Sequence, residues 1–319
     1  MEKFELHILG CGSALPTLRH NPTSQILNVH DKLFMIDCGE GTQLQMRRTR
    51  LSFSRLNRIF ISHLHGDHCF GLIGLISTYA LLGRTATLHI HAPADLEQLL
   101  APWLVYHCRG AAFAVEFHAF PTDAAMTIYE DKSVEVKTVP LRHRVPCCGF
   151  VFREQPRLPH IRRDMIDYLG IPTYAINRIK LGGDWQKEDG TVISHDQLVK
   201  PADQPRSYAY LSDTAFCPSN VPHVEGVDLM FHEATFAETD ATRAAETFHS
   251  TAAQAGKMAL LAHAKQLLIG HYSSRYDDEK CLLRECQAIF ANTVLAQEGS
   301  CIAIPCRVPE QAPNLPIQD

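Results

Sequence analysis

Three imidazoles and one carboxylate stand within six residues, in the segment His63-Leu64-His65-Gly66-Asp67-His68. The preceding residues 58–62 are mostly apolar and predict a buried strand. His63 and His65, two apart at the end of that strand, would project to the same side of it. Gly66 lets the chain turn, so that Asp67 and His68 would approach from the opposite direction. The segment therefore predicts ligands for two metal ions. The alternative is a polar loop whose histidines are incidental.

Four ligands cannot complete two coordination spheres, so the fold must bring further ligands to this point. Three candidates each follow an apolar, strand-like run: His143 follows 134–139, Asp213 follows 207–212 and His271 follows 266–270. Side chains at strand ends collect along one edge of a sheet, where a cleft can form. Neutral imidazole and carboxylate are the ligands that zinc takes in catalytic sites. A purely structural role for each of the three distant residues is the alternative.

The rest of the chain predicts an α/β fold. Apolar or alternating runs bounded by Gly, Pro or Asp predict twelve strands, at 4–9, 25–29, 33–37, 58–62, 87–91, 113–118, 134–139, 148–152, 207–212, 228–232, 266–270 and 301–304. Helical periodicity predicts helices at 70–82, 251–263 and 279–290. Thr251 and Gln254 have the spacing of a capping box at the start of the second helix. This pattern fits two facing sheets with helices outside, in one domain over 1–319.

One segment, 153–206, differs from the rest. It has five prolines, a Gly182-Gly183 pair and weak periodicity between two clear strands, so we expect an inserted arm. Residues 142–206 contain eleven Lys and Arg against eight Asp and Glu, within a chain of net charge −5. This local excess of positive charge is equally consistent with an element that contacts RNA and with a solvent-exposed segment of ordinary surface charge.

Composition narrows the class of protein. A net charge of −5 weakens non-specific attraction to polyanions, so any contact with nucleic acid must be local. Eleven cysteines, an odd number without a Cys-x-x-Cys pair, favour reduced thiols in the cytoplasm. No stretch of eighteen uncharged apolar residues is present and the N-terminal residues carry charges, so we expect neither a membrane span nor a secretion signal. Eighteen histidines are a first compositional indication of metal chemistry.

Three strings of residues carry a resemblance to a known family: Asp37-Cys38-Gly39-Glu40-Gly41-Thr42-Gln43, His232-Glu233-Ala234-Thr235 and Gly270-His271-Tyr272-Ser273-Ser274-Arg275-Tyr276. Together with the ligand pattern, they resemble metallo-β-lactamase-fold phosphodiesterases, and more specifically the short form of the ribonuclease Z family. Those enzymes are endonucleases that trim the 3′ trailer from precursor tRNA. The resemblance covers almost the whole chain.

The resemblance implies an αββα sandwich of two facing sheets with an inserted arm, a homodimer, and precursor tRNA as the substrate. It implies two zinc ions per subunit, with manganese as a possible substitute, and attack by hydroxide at the two-metal site. The implied ligands are His63, His65 and His143 for one ion, Asp67, His68 and His271 for the other, and Asp213 between them. Asp67 would also accept a proton or orient the water. Asp37 would be a hydrogen-bond acceptor rather than a ligand.

The leaving oxygen needs a proton or a positive partner, and His249, just before a predicted helix, is the candidate, oriented by Glu233. A local cap for His249 and a structural role for Glu233 are the alternatives. Arg275 could contact phosphate or form an internal salt bridge. In the arm, Arg178 and Lys180 would contact tRNA, although this segment lacks the later Gly-Pro pair of the family pattern.

Two rival functions follow from the same residues. A small-molecule hydrolase on this fold, such as a lactonase, thioesterase or arylsulfatase, would suit the acidic net charge and the altered arm. A metal-free scaffold subunit is the non-enzymatic reading, and the full set of seven ligands argues against it.

Overall fold

The computed structural model describes residues 2–307, and these divide into two compact units. The first unit consists of residues up to 153 together with 207–304. The second consists of 154–206 together with the described residues after 304. Within residues 2–307, no helix combines the length and the apolar character that crossing a membrane would require.

The first unit contains two seven-stranded sheets. The first sheet has the spatial order β18-β1-β2-β3-β4-β5-β6. Its strands are β1 (Phe4–Gly10), β2 (Ser24–Val29), β3 (Lys32–Cys38), β4 (Leu56–Phe60), β5 (Leu88–Ala92), β6 (Val115–Ala119) and β18 (Cys301–Ala303). The strands from β18 to β3 pair antiparallel, and those from β3 to β6 pair parallel. The carboxyl ends of β3, β4 and β5 therefore meet at one edge.

The second sheet has the spatial order β17-β16-β15-β14-β9-β8-β7. Its strands are β7 (Thr127–Glu130), β8 (Val134–Pro140), β9 (Cys148–Glu154), β14 (Ser207–Leu211), β15 (Leu229–Glu233), β16 (Gln266–Gly270) and β17 (Thr293–Leu295). The four strands β14 to β17 run parallel, so their carboxyl ends also share an edge.

The two sheets face each other across a core of aromatic side chains. Phe60 of the first sheet lies edge-on to Phe150 of the second, with ring centroids 5.8 Å apart, and Phe34 lies 6.2 Å from Phe152. All four rings are buried. Full burial of a side chain of this size contributes about 1.5–3 kcal/mol, which makes this layer a main source of stability.

Helices cover the outer faces of both sheets. The helices of the first unit are α1 (Thr42–Arg48), α2 (Gly66–Cys69), α3 (Gly71–Leu81), α4 (Asp95–His107), α8 (Val221–Val224), α9 (Ala241–Thr247), α10 (Ala252–Leu261) and α11 (Lys280–Gln287). Apolar residues of α1, α3 and α4 pack on the first sheet, and those of α10 and α11 belong to the core that includes the second. The expected α/β architecture, with two facing sheets and helices outside, is confirmed.

The predicted elements correspond to observed ones. Each of the twelve predicted strand segments overlaps a strand of the two sheets, and the three predicted helices are α3, α10 and α11. The capping box is also present, because Thr251 Oγ1 accepts from the Gln254 N–H while the Gln254 side chain accepts from the Thr251 N–H. This reciprocal bonding sets the start of α10, and it fixes the backbone just after His249.

The second unit has a small core of its own. It contains β10 (His160–Ile161), α5 (Arg163–Leu169), α6 (Thr173–Lys180), β11 (Trp185–Gln186), β12 (Val192–Ile193), α7 (His195–Leu198) and β13 (Val199–Lys200). Its core is formed mainly by Ile166, Ile171, Ala175, Ile179 and Leu198. Where the unit begins and ends, the buried Arg206 guanidinium donates to both carboxylate oxygens of Glu154, at 2.7 and 2.8 Å.

Candidate metal centre

Strand ends bring the predicted ligands to one place. His63 and His65 follow β4, and Asp67 and His68 lie in α2, the short helix after it. The other three predicted ligands also come just after strands, namely His143 after β8, Asp213 after β14 and His271 after β16. All seven side chains lie in the first unit. They form two groups of ligand atoms, each within 4.8 Å of one another, with Asp213 assigned to the first group.

The first group is built from three imidazoles. His65 Nδ1 lies 3.0 Å from His63 Nε2 and 3.3 Å from His143 Nε2. The nearest oxygen of Asp213, Oδ1, lies 4.0 Å from His63 Nε2 and 3.9 Å from His143 Nε2. At these separations, the three ring nitrogens and one carboxylate oxygen could coordinate a single ion.

The second group contains Asp67, His68 and His271. His68 Nε2 lies 3.3 Å from Asp67 Oδ2, which in turn lies 3.7 Å from His271 Nε2. Asp213 faces this group too, because its Oδ2 lies 3.1 Å from His68 Nε2 and its Oδ1 lies 3.3 Å from His271 Nε2. The Asp213 carboxylate therefore stands between the two groups.

Hydrogen bonds to Nδ1 hold three of the imidazoles in place. His68 Nδ1 lies 2.7 Å from Asp37 Oδ2, and His63 Nδ1 lies 3.0 Å from Ser62 Oγ. His271 Nδ1 lies 2.8 Å from Thr235 Oγ1. These contacts leave the opposite nitrogen of each ring directed into the site, which is how histidine ligands are commonly oriented in metalloproteins.

Asp37 is the hub of these outer contacts. Its carboxylate accepts the Ser62 backbone N–H and hydroxyl, both at 2.8 Å, and the Tyr210 hydroxyl at 2.6 Å, in addition to the contact with His68. The side chain is fully buried. Both carboxylate oxygens of Asp37 therefore accept hydrogen bonds, and one of these contacts orients the His68 ring.

Three strand-end residues of the site have left-handed backbone conformations. The φ angles are 55° for Asp37, 57° for Asp213 and 60° for His271. A non-glycine residue held in such a conformation costs about 1–3 kcal/mol, and such residues concentrate at functional sites. With the surrounding hydrogen bonds, these conformations direct the Asp213 and His271 side chains toward the cavity and the Asp37 carboxylate toward His68 Nδ1.

Burial keeps the imidazoles of the first group in the form that binds cations. It lowers the pKa of His63, His65 and His143 from the ordinary value, because a charged ring would lose its hydration. At neutral pH these rings are therefore uncharged and have a free lone pair.

The two aspartates of the centre are ionised. Burial opposes their ionisation, but neighbouring histidines outweigh it and hold the pKa of Asp67 and Asp213 below the usual range. Two carboxylates with low pKa in a buried cleft favour positive charge there.

The donor set fits divalent cations. Asp213 oxygens lie 3.1 and 3.3 Å from the buried Nε2 atoms of His68 and His271, but neither nitrogen makes a hydrogen bond of good geometry within residues 2–307. Unpaired buried nitrogens are costly, and coordination to a cation would satisfy them. Imidazole with carboxylate is also the donor combination that zinc and related ions take in catalytic sites.

His249 and Glu233 form a pair beside the two groups. His249 Nδ1 lies 2.9 Å from Glu233 Oε1, and the same oxygen accepts the Thr214 N–H at 2.7 Å. The other Glu233 oxygen accepts the Thr235 hydroxyl. Burial acts to lower the pKa of His249, but the Glu233 carboxylate outweighs it, and the pKa is raised to about 9. The pair is therefore a fixed carboxylate with a protonated imidazole.

A cavity of about 320 Å³ opens over these side chains. Its lining includes ligands of both groups together with His249 and three arginines, Arg144, Arg243 and Arg275. Arg275 is exposed, and its side chain forms no salt bridge within residues 2–307. The internal salt bridge considered as an alternative for Arg275 is therefore absent from residues 2–307.

Arg178 and Lys180 belong to α6 of the second unit. The Arg178 guanidinium is exposed and donates to the Asp184 carbonyl at 2.9 Å, and Lys180 is half-buried. Neither residue lines the cavity described above.

Sequence reasoning did not assign several residues that shape the site. Thr235 links His271 to Glu233, and the Phe248 carbonyl lies 3.2 Å from His143 Nδ1. Arg144 and Arg243 line the cavity. Thr235 could have been found, because it ends the string that contains Glu233. The Phe248 contact depends on its left-handed φ of 58°, which leaves no mark in the sequence.

Solved structures share this architecture. The short form of human tRNase Z superposes with a TM-score of 0.69 at 24% identity, covering 94% of this chain and 99% of that one. The metallo-beta-lactamase fold protein YhfI from Bacillus subtilis gives a TM-score of 0.66 at 20% identity, covering 95% and 100%. The fold is therefore the metallo-β-lactamase fold, as the sequence predicts.

Sequence relatives identify the family. A family model described as "Anti-Pycsar protein Apyc1" matches residues 4–158. A ribonuclease Z of Bacteroides fragilis is 60% identical over 304 residues, which are 95% of this chain and all of the relative. A ribonuclease Z of Porphyromonas gingivalis is 51% identical over 298 residues, which are 93% of this chain and 98% of the relative. Such identity over nearly the full length of both chains means that the protein belongs to the ribonuclease Z family.

Proposed function

We propose that the protein is a metal-dependent endoribonuclease that removes the 3′ trailer from precursor tRNA by hydrolysis. The observation that carries the proposal is the convergence of seven imidazole and carboxylate side chains, five of which line one cavity, in a chain of the ribonuclease Z family. Such a donor set suits phosphodiester hydrolysis, because the reaction needs an activated water and neutralised phosphate charge.

Two cations would be held by two sets of ligands that share Asp213. The ligands are His63, His65 and His143 for one ion, and Asp67, His68 and His271 for the other. We infer zinc, with manganese as a possible substitute, because most of the donors are imidazoles. When bound, the ions would lower the pKa of a water molecule and neutralise charge on the scissile phosphate.

His249 is the proposed general acid. Its ring lies at the cavity, and its Nδ1 is fixed by Glu233 at 2.9 Å, so its other nitrogen can give a proton to the leaving ribose 3′ oxygen. Glu233 orients the ring and stabilises its charged form. The products are a tRNA that ends in a 3′-hydroxyl and a trailer that carries the phosphate.

Asp67 is the proposed positioning group for the attacking water. Its carboxyl group lines the cavity, and its pKa is held below the usual range by neighbouring histidines, against the effect of burial. A carboxylate with a low pKa is a weak proton acceptor, so orientation of the water is its main role.

Basic residues supply contacts to the RNA backbone. Arg275 at the cavity is free of salt bridges within residues 2–307 and is well placed to bind a phosphate near the cut. Arg178 and Lys180, on the separate unit 154–206, would bind phosphates of the tRNA body. These contacts would be local, since the chain as a whole has a net charge of −5.

We also infer a homodimer in the cytoplasm. A tRNA-processing reaction takes place where tRNA is made, and the eleven cysteines are all unpaired, which suits a reducing compartment. Sedimentation of the purified protein would test the dimer: a mass of one chain would contradict it.

The direct test of function is an assay on a precursor tRNA with a 3′ trailer, in the presence of Zn²⁺ or Mn²⁺, with the product end mapped. We expect one cut directly after the discriminator nucleotide, and no cut by His65→Ala. Absence of cleavage with either metal would overturn the proposal. Hydrolysis of a lactone or thioester in its place would favour the small-molecule hydrolase.

The role of the arm is tested by excising residues 160–200, which leaves the Glu154–Arg206 ion pair in place. We expect weaker cleavage of precursor tRNA and unchanged hydrolysis of bis(p-nitrophenyl) phosphate, because the small substrate needs only the cavity. Equal loss on both substrates would contradict a role in tRNA binding.

A further inference from the structure

A second histidine cluster lies on the first sheet, outside the candidate metal centre. It arises from two short motifs on neighbouring strands, His89-Ile90-His91 on β5 and Glu116-Phe117-His118 on β6. The strands pair parallel, with His89 opposite Glu116 and His91 opposite His118. Since residues two apart on a strand share a face, these four polar side chains form one array on the same face of the sheet.

Three of the four side chains converge. His89 Nδ1 lies 3.0 Å from His118 Nε2 and 3.2 Å from Glu116 Oε2, and His118 Nε2 lies 4.0 Å from the same oxygen. We call His89, Glu116 and His118 the strand-edge cluster. Two nitrogens and one carboxylate oxygen at these separations can share one ion of the zinc class, and they leave coordination positions open.

Stacked rings hold the cluster in shape. His118 stacks on His91 with ring centroids 4.6 Å apart, and His91 stacks on Phe60, also at 4.6 Å. His91 is buried at 3% exposure, so it is a fixed platform for the His118 ring. The Arg58 guanidinium, 3.3 Å from His91 Nε2, further restrains this platform. The ligand nitrogens are therefore oriented before any ion binds, which lowers the cost of binding.

The charge state of the cluster also suits a cation. Glu116 supplies the negative charge that offsets Arg58. The cluster remains open to solvent, with 23% of the His89, 53% of the Glu116 and 41% of the His118 side chain exposed, so an ion can enter.

We propose that His89, Glu116 and His118 form a further divalent-metal site, which takes a zinc-class ion and ties the edge strand β6 to β5. Among the residues from 2 to 307, β6 is the last strand of its sheet and pairs with β5 alone. One ligand comes from β5 and two from β6, so an ion would bridge the last strand pair. The site goes beyond the proposed nuclease activity and does not depend on it.

The test is a competitive titration of the full chain with Zn²⁺ against a chromophoric chelator. The proposal predicts that His118→Ala and Glu116→Gln each bind one Zn²⁺ fewer per chain than the unaltered protein. Hydrolysis of bis(p-nitrophenyl) phosphate should be unchanged in both. His223→Ala, which removes an exposed histidine of α8, is the matched control and should bind as much Zn²⁺ as the unaltered protein.

A second measurement separates this site from the candidate metal centre. In a His65→Ala/His271→Ala background, which removes a ligand from each group of the candidate metal centre, Zn²⁺ should still raise the midpoint of thermal unfolding, and the added change His118→Ala should abolish that rise. Equal Zn²⁺ stoichiometry in the unaltered protein, His118→Ala and Glu116→Gln would overturn the proposal. The same loss in His223→Ala would also overturn it, since the missing ion would then not belong to the strand-edge cluster.

Discussion

The candidate metal centre and the strand-edge cluster space their ring nitrogens alike, but different contacts hold the rings. His63 Nε2 and His65 Nδ1 are 3.0 Å apart, and so are His89 Nδ1 and His118 Nε2. In the centre, four of the five imidazoles have the other ring nitrogen hydrogen-bonded to an oxygen atom. In the strand-edge cluster, the His118 ring is held by stacking on His91 instead, and the His89 ring is tilted against His118.

On the proposals above, this difference would separate two kinds of metal site. A hydrogen bond to the second nitrogen fixes the tautomer and the direction of the ring and raises its basicity as a ligand. Stacking fixes the plane of a ring but not its tautomer. We therefore expect the buried centre to hold ions tightly enough for catalysis, and the exposed cluster to bind one ion more weakly and for stability alone.

The largest expected effect is the loss of activity on removing a ligand of the centre. His65→Ala should lower both the metal content and phosphodiester hydrolysis, with turnover reduced by more than about 10⁴-fold, since groups that act as a unit fail together. Turnover and bound metal are measured on the same preparation. His118→Ala, a matched change in the strand-edge cluster, should leave turnover as it is. Similar losses of turnover in His65→Ala and His118→Ala would contradict the claim that only the candidate metal centre takes part in catalysis.

The next effect separates chemistry from metal binding. His249→Ala should keep the metal of the centre and lower kcat by about 10²–10⁴-fold, the usual contribution of a positioned acid. Metal analysis together with single-turnover cleavage of precursor tRNA measures both quantities. Near-normal kcat would remove His249 from the proposed mechanism, whereas loss of metal would make it a ligand or a structural residue.

A smaller effect tests the outer hydrogen bonds. Thr235→Val removes the hydroxyl 2.8 Å from His271 Nδ1 at almost constant volume, and should weaken metal binding at the centre by about 10–100-fold. Affinity is measured by titration against a chelator. Thr127→Val, which removes an exposed hydroxyl that donates to Glu135, is the control. Unchanged affinity in Thr235→Val would mean that the hydrogen bonds do not set the difference between the clusters.

The smallest effect concerns the stacked platform. His91→Phe keeps an aromatic ring between Phe60 and His118, so Zn²⁺ binding at the strand-edge cluster should change little. The same chelator titration measures it. A complete loss of the extra ion in this variant would show that His91 acts through its nitrogens rather than through stacking.

The sequence allows the layers of the fold to be predicted, and also the way its strand ends gather the ligands. That inference succeeds because short apolar runs such as 134–139 and 266–270 are followed at once by a polar residue. Helix α4 is not predicted, since Pro102 interrupts it and exposed apolar residues such as Trp103 blur its periodicity. Strands β7 and β17 contain only four and three residues, too few for a clear pattern.

The fine geometry of the site is the part that the sequence does not reveal. The left-handed conformations of Asp37, Asp213 and His271 aim their side chains, yet they depend on tertiary hydrogen bonds rather than on local propensity. The pairing of Thr235 with both Glu233 and His271 depends likewise on the register of β15 and β16. Such contacts join residues far apart in the chain, and no local pattern encodes them.

The most direct test is an anomalous difference map, recorded at the zinc absorption edge from crystals of the full chain grown with Zn²⁺. Strong peaks are predicted among His63, His65 and His143 and among Asp67, His68 and His271, and a weaker one at the strand-edge cluster. Absence of both strong peaks, or a single peak with Asp67, His68 and His271 free of metal, would contradict the two-metal centre.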